Sequence, residues 1–441
     1  MNIQRDILNN LNRWKESHYR KPLVLQGTRQ VGKSFILKQF GSECFENCCY
    51  VNFDFEKEHK AEFALTKDPA RIVSYLTAIK GIEIKPEKTL IIFDEIQECN
   101  DALNSLKYFR ELMPEQAVVC AGSLLGVALK REGASFPVGN VDFLTLYPVS
   151  FKEFLMLYDE KLARFLENYV VAEKLEKVPE IFHTQLIEAY KIYLCCGGMP
   201  ETIVRYLESR DWNEVDTVNN QILTAYTLDF AKHIDNKDIP RLQRLWQNIQ
   251  DNLAKEDRKF KYALIEKNAR GRDYENSVEW LVLSGLVNRV FEVNTLRIPL
   301  SSIKNSNAFK LYLADAGLLR TKFRLAPTTI LQGNKLFTEF KGILTENYVL
   351  QSLVHQFGSD IFYWTSGNQA EIEFMLQLSG AIIPVEAKSA LSTKSRSLSE
   401  YRKKYQPQLS LRFSLKNVEK NDNLLNFPLY LADYTEKLMK L

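Results

Sequence analysis

The chain has 441 residues, more than one ordinary hydrophobic core organises, so two to four domains are expected. Hydrophobic residues make up 45% and charged residues 26%, which argues against a disordered chain. A net charge of +3 leaves nucleic-acid binding open in either direction, while seven cysteines without a CxxC pair and only five histidines argue against a disulfide framework or a zinc site.

In chain order, the N-terminal "MNIQRDILNNLNRWKESHYRK" reads as an amphipathic, charged helix without the apolar stretch of a secretory signal. The longest apolar run, "AVVCAGSLLGVAL", is broken by glycines and a serine and falls short of the roughly 18 residues of a spanning helix, so a soluble cytoplasmic protein without a membrane partner is expected. Residues 1–150 alternate β-rich runs ("PLVLQ", "CYVNFDF", "TLIIFD", "AVVCAG", "DFLTLYP") with helical stretches, the pattern of a parallel sheet with crossover helices. Residues 151–237 turn to long helical periods without a strand and read as a helical lid. Over 238–325, helices that include "YALIEK" and "RDYENSVEWLVLSGLV" precede two β-branched runs, "NRVFEVN" and "FKLYLAD", with Gly285 ending the third helix; this predicts a winged helix-turn-helix. Residues 326–441 begin with the helix "TEFKGILTENYVLQSLVHQF" and continue with strands "IFYWTS", "EIEFMLQL" and "AIIPVEAKS". A basic helix and the strand candidates "LSLRFSL" and "PLYLAD" follow, forming a second α/β domain.

Gly27, Thr28, Arg29, Gln30, Val31, Gly32, Lys33 and Ser34 fit G-x-x-x-x-G-K-[ST] between a strand and a helix. In such a loop the backbone N–H groups turn around phosphate oxygens, Lys33 reaches the β- and γ-phosphates and Ser34 binds Mg²⁺. Phe35 is counted with these residues as part of the nucleotide site. The apolar strand "TLIIFDEIQ" ends in Asp94, suited to the magnesium shell, and Glu95, suited to polarising the attacking water. ATP with Mg²⁺ is therefore the expected ligand, and ATP hydrolysis the expected reaction. An intervening strand and a glutamate after the aspartate point to the additional-strand class of P-loop NTPases. Ser123, after "AVVCAG", resembles a sensor-1 residue and equally fits a polar strand end. "GGMPE" holds Pro200 at a helix start, an ordinary place for proline; it also resembles the glycine-x-proline motif of signal-transduction ATPases, which implies an adenine contact. Arg29, Arg110 and Arg131 are arginine-finger candidates, each also readable as a solvated charge.

In the last segment Glu346 lies in a helix, Glu373 on an acidic strand, and Glu386 and Lys388 one residue apart on a third run, so that both side chains project from one face. Three carboxylates and an amine could hold one or two divalent ions, a possible second metal site, and activate water against a phosphodiester. The order of helix glutamate, acidic strand, E-x-K and basic helix resembles the PD-(D/E)xK restriction-endonuclease-like fold. Its second acid is usually aspartate, where this chain has Glu373, so nuclease activity stays open.

The ordered motifs "GTRQVGKS", "IIFDEIQ", "AGSLLG", "FPVGNVDFLTLYPVSFKEF", "GGMPE", "FKLYLADAGLL", "TENYV", "YWTSGNQAEIEF" and "IPVEAKS" resemble, nearly end to end, a prokaryotic group of AAA-family ATPases with an uncharacterised C-terminal region. Asn140 stands where many members carry a basic residue. The resemblance implies an α/β fold: a P-loop NTPase parallel sheet with helical lid, winged helix and a C-terminal α/β nuclease-like domain. Two functions follow. One is an ATPase that couples turnover to nucleic-acid binding or processing, with the basic run Lys388 to Lys404 as the surface for DNA. The other is a signal-transduction-type switch whose C-terminal domains dock a protein partner and cut nothing. An oligomer is compatible with either, although no aromatic-hydrophobic-glycine pore loop stands out.

Overall fold

The computed structural model describes residues 3–122, 139–172, 175–234, 238–332, 338–367, 370–390 and 395–440. The chain divides into two units: Gln4–Tyr147 with Leu283–Gly285, and Met1–Ile3 with Pro148–Val282 and Leu286–Leu441.

The first unit holds strands β1 (Leu23–Gln26), β2 (Asn47–Asn52), β3 (Thr89–Asp94), β4 (Ala117–Ala121) and β5 (Asp142–Thr145), and helices α1 (Ile7–Glu16), α2 (Lys33–Cys44), α3 (His59–Leu65), α4 (Pro69–Lys80) and α5 (Asn100–Leu112). All its strand pairings are parallel, in the order β2-β3-β4-β1-β5. In space it is therefore β4 that separates the aspartate strand β3 from the loop strand β1, while β2 takes the edge. The physical reason is in the residues: β3 and β4 are buried at every position, as a strand covered on both faces requires, whereas the edge strand β2 is buried only at Cys49 and Val51 and the edge strand β5 at no position. Phe53, Phe63, Phe93 and Phe109 meet edge to face or tilted, with centroids 5.3 to 6.3 Å apart, and anchor the core between the sheet and α3, α4 and α5.

The second unit runs through helices α6 (Phe151–Tyr158), α7 (Glu160–Val171), α8 (Glu180–Cys196), α9 (Pro200–Ser209), α10 (Trp212–His233), α11 (Ile239–Leu253) and α12 (Gly271–Leu283), the last ending at the border of the two units. "YALIEK" forms only a short 3₁₀ turn at Tyr262–Leu264. There follow β6 (Val287–Val293), β7 (Asn305–Leu313), α13 (Ala316–Lys322), α14 (Pro327–Gln332), α15 (Thr338–Phe357), β8 (Phe362–Thr365), β9 (Glu371–Leu378), β10 (Ala381–Ala387), α16 (Arg396–Tyr405), β11 (Ser410–Ser414), β12 (Glu419–Asn421), β13 (Leu424–Pro428) and α17 (Thr435–Leu438). Eight strands make one mixed sheet in the order β12-β13-β11-β10-β9-β8-β6-β7. The antiparallel ribbon β6–β7, which the sequence suggests as a wing, continues this sheet because β6 pairs in parallel with β8, Glu292 opposite Tyr363. "PLYLAD" is a 3₁₀ helix, Leu429–Tyr434, and the last strand is instead the preceding Leu424–Pro428, whose backbone pairs with β11. Helix α15 is buried all around from Ile343 to Val354, which makes it the centrepiece of its unit. Among the described residues no helix is long and apolar enough to cross a membrane.

Candidate functional site

Strand β1 is apolar and buried, and the chain leaves it through a loop that L-residues seldom follow. Gly27 has φ +145°, and a Cβ there would lie 2.1 Å from the Leu146 carbonyl oxygen; Gln30 and Gly32 also have positive φ, +66° and +92°. Such alternation of backbone sign makes successive N–H groups converge into an anion-binding concavity, which the N-terminus of α2 extends. Lys33 is buried, its Nζ donating to the carbonyls of Gly27 at 2.8 Å and Thr28 at 2.9 Å. Burial pushes its ammonium down to about 8, against the opposing pull of Glu95 and then Asp94, with Arg29 adding to the fall. The lysine and both carboxylates therefore share one electrostatic site. Ser34 follows Lys33 on α2 and is half-buried, while Phe35 is 54% exposed.

Asp94 ends β3 almost fully buried. Its Oδ1 accepts from the Glu95 N–H at 3.0 Å and its Oδ2 from the Tyr50 hydroxyl at 2.7 Å. Glu95 sits in the left-handed region, φ +50°, and its Oε2 accepts from Gln97 Nε2. Several supports carry no motif signal. Arg5, near the chain start, donates to the Val31 carbonyl at 3.3 Å and the Tyr147 carbonyl at 2.6 Å, bracing the loop against the strand beside it. Thr28 Oγ1 donates to the carbonyl of Gly285 at 2.8 Å, within the same unit. Arg110 donates to the Gly139 carbonyl and to Asn140 Oδ1. Ser123 and Arg131 lie outside the described residues. Magnesium bound with a nucleoside triphosphate needs only one or two protein oxygens, because phosphates and water supply the rest; the Ser34 hydroxyl and the Asp94 carboxylate fit that hard-donor set.

In the second unit Pro200 opens α9 as its first residue. The glycines before it have a packing role. A Cβ on Gly197, φ +77°, would lie 2.2 Å from Asp315 Oδ1, and one on Gly198 would lie 2.3 Å from the Val149 carbonyl. Asp315 caps α13, accepting from Leu318 N–H at 2.8 Å and from Gly198 N–H at 2.5 Å; burial raises its carboxyl to about 6 although these backbone donors pull the other way. "GGMPE" and "LADAG" thus meet as one tight junction.

The structure also gathers Glu346 on α15, Glu373 on β9, Glu386 on β10 and Lys388 just beyond it. Lys388 Nζ lies 3.3 Å from both Glu373 Oε1 and Glu386 Oε1. Arg412 Nε bonds Glu386 Oε2 at 2.8 Å, Arg258 pairs with Glu346, and the Tyr312 hydroxyl donates to Glu346 at 3.3 Å. Glu373 is pushed up to about 7, first by burial and also by Glu346 and Glu386, with Lys388 opposing; its Oε2 is buried and has no hydrogen-bond partner among the described residues. Three cations match the three carboxylates, and among the described residues no group of three or more His, Cys, Asp or Glu side chains is arranged to hold a metal ion. The second divalent site suggested by the residue pattern is therefore without support. The motif could not disclose it, because Arg258 and Arg412 lie far away in the chain.

Residues 19–155 match a family model described as an AAA domain. Residues 187–329 and 341–431 match two families, each described as a domain of unknown function. No curated protein matches the chain. Among solved structures the chain is similar to the Walker-type ATPase PABY2304 of Pyrococcus abyssi, at 14% identity and a TM-score of 0.45, covering 73% of this chain and 96% of that one. It is also similar to the Aeropyrum pernix ORC2 protein in its ADPNP–ADP complexes, at 13% identity and TM-score 0.33, over 75% and 94% of the two chains. A third is the Thermotoga maritima RuvB Holliday junction branch migration motor, at 14% and 0.29, over 68% and 91%. At such scores these likenesses carry no argument about chemistry; the AAA ATPase domain rests on the family match together with the loop and strand geometry.

Proposed function

We propose that the protein binds and hydrolyses MgATP in its first unit and couples turnover to nucleic acid held by its second. The observation that carries the ATPase reading is the common electrostatic site of Lys33, Asp94 and Glu95 beside a loop whose backbone donors converge. Lys33 leaves the Gly27 and Thr28 carbonyls for the phosphates, Asp94 holds the magnesium shell, and Glu95 accepts the proton of the attacking water. Mg²⁺, when bound, neutralises charge on the phosphate oxygens. On the second unit the exposed Lys403 and Lys404 in the last turn of α16 support a surface for the phosphate backbone.

A second reading is favoured by the paired charges around Glu346, Glu373 and Glu386: a nucleotide-controlled switch that docks a protein partner and has no nuclease activity. Turnover with and without single- and double-stranded DNA and RNA separates the two. Stimulation that falls steeply with salt supports nucleic-acid coupling; tightly retained nucleotide with unstimulated turnover supports the switch. In both readings Lys33→Ala loses nucleotide binding, while Glu95→Gln keeps affinity within about twofold and loses about 100-fold or more in turnover. Wild-type turnover in Glu95→Gln would remove the role given to that glutamate.

A further inference from the structure

We propose that Tyr50, on the edge strand β2, is the positioning residue for Asp94, and that the Asn52–Tyr50–Asp94 chain of hydrogen bonds orients that carboxylate toward the magnesium shell; the inference rests on the MgATP reading above. Asn52 pairs with Asp94 in the parallel β2–β3 register, and Tyr50, two residues earlier, lies on the same face of the strand.

The direction of each bond follows from its neighbours. Asn52 Oδ1 accepts from the backbone N–H groups of Asp54 and Phe55, both at 3.0 Å, so its amide nitrogen is the group that faces Tyr50. Asn52 Nδ2 donates to the Tyr50 oxygen at 3.3 Å, and the single hydroxyl proton is then committed to Asp94 Oδ2 at 2.7 Å. With the Glu95 N–H on Oδ1, each carboxylate oxygen holds one donor, which fixes the plane of the group and leaves its remaining lone pairs for the ion's water shell. The Lys38 ammonium, on the helix that follows the phosphate loop, sits 3.7 Å from the centre of the Tyr50 ring.

The test uses the full chain and a fluorescent ADP analogue. Affinity is measured in EDTA and across a Mg²⁺ titration for wild type, Tyr50→Phe and Asn52→Ala, with thermal melting alongside. Tyr50→Phe is expected to bind the probe in EDTA within about twofold of wild type, while the Mg²⁺ concentration for half-maximal tightening rises about tenfold. Asn52→Ala should shift the same curve less, in the same direction. A Mg²⁺ curve for Tyr50→Phe that superimposes on wild type, with or without a lower melting temperature, overturns the inference while leaving the ATPase reading intact. A wild-type chain that binds the probe at no Mg²⁺ concentration overturns the ATPase reading itself, and this inference with it.

Discussion

Lys33 is a charged residue kept out of water in the phosphate loop, and that has a measurable consequence. Burial lowers its ammonium to about 8, while the phosphates of a bound nucleotide favour the charged form and lift it again. Binding therefore takes up protons once the pH passes 8 and not well below it. Calorimetry at pH 8.5 in buffers of different ionisation enthalpy should report uptake of roughly half to one proton per nucleotide, falling toward zero near pH 6.5. Equal binding enthalpies in all buffers at pH 8.5 would show that the lysine is charged before the ligand arrives. Glu373 shifts in the opposite direction. Its folded carboxyl stands at about 7 against an ordinary 4.5, so its contribution to stability is complete below the lower value and is lost as pH rises through the upper one. Glu373→Gln should accordingly gain melting temperature relative to wild type as pH increases from 4.5 to 7. A difference that stays constant over that window refutes the assignment.

At the scale of elements, close backbone approach decides more than side-chain chemistry. The junction of the α8–α9 loop with α13 brings Gly317 against Gly197, where a Cβ on Gly317 would lie 2.4 Å from the Gly197 nitrogen. Gly317→Ala and Gly198→Ala should each cost roughly 1–3 kcal/mol by overpacking, read by chemical denaturation of the full chain. The same logic explains why β4, and β3 between Thr89 and Asp94 at its ends, are apolar, since both faces are covered, while the polar residues Tyr50 and Asn52 gather on the edge strand β2 and reach forward to the end of β3.

For the whole molecule, the mixed sheet of eight strands joins the segment that reads as a winged helix to the segment that reads as nuclease-like, so that Glu292 on β6 and Glu386 on β10 belong to one sheet. Carboxylates on that sheet and on α15 beside it are paired: Lys259 with Glu292, Lys310 with Glu371, Arg258 with Glu346, Arg412 with Glu386. Paired carboxylates of this kind resist a divalent ion, because binding it would strand buried cations. Incubation of the full chain with DNA and Mn²⁺ is expected to give no cleavage that Glu386→Ala removes; Mn²⁺-dependent cleavage lost in that variant would reverse this conclusion.

Local order along the chain was enough to locate the phosphate loop, the aspartate-ending strand, the helical stretch after residue 150 and the long helix over 338–357, because each depends on short-range periodicity, backbone sterics or residue types at fixed spacing. Sequence could not disclose the partners brought from far along the chain: Arg5 on the loop, Tyr50 on Asp94, Asp315 against Gly198, Arg258 and Arg412 on the buried glutamates. Tyr50 with Asp94 and Arg412 with Glu386 meet because their strands lie side by side, and the others because helices and loops pack against those sheets; such neighbours are chosen by the burial of whole faces, a property of the assembled core that no local stretch contains. For the same reason "PLYLAD" reads as a strand from its residue types and forms a 3₁₀ helix in place, the edge of β11 being already occupied by the backbone just before it.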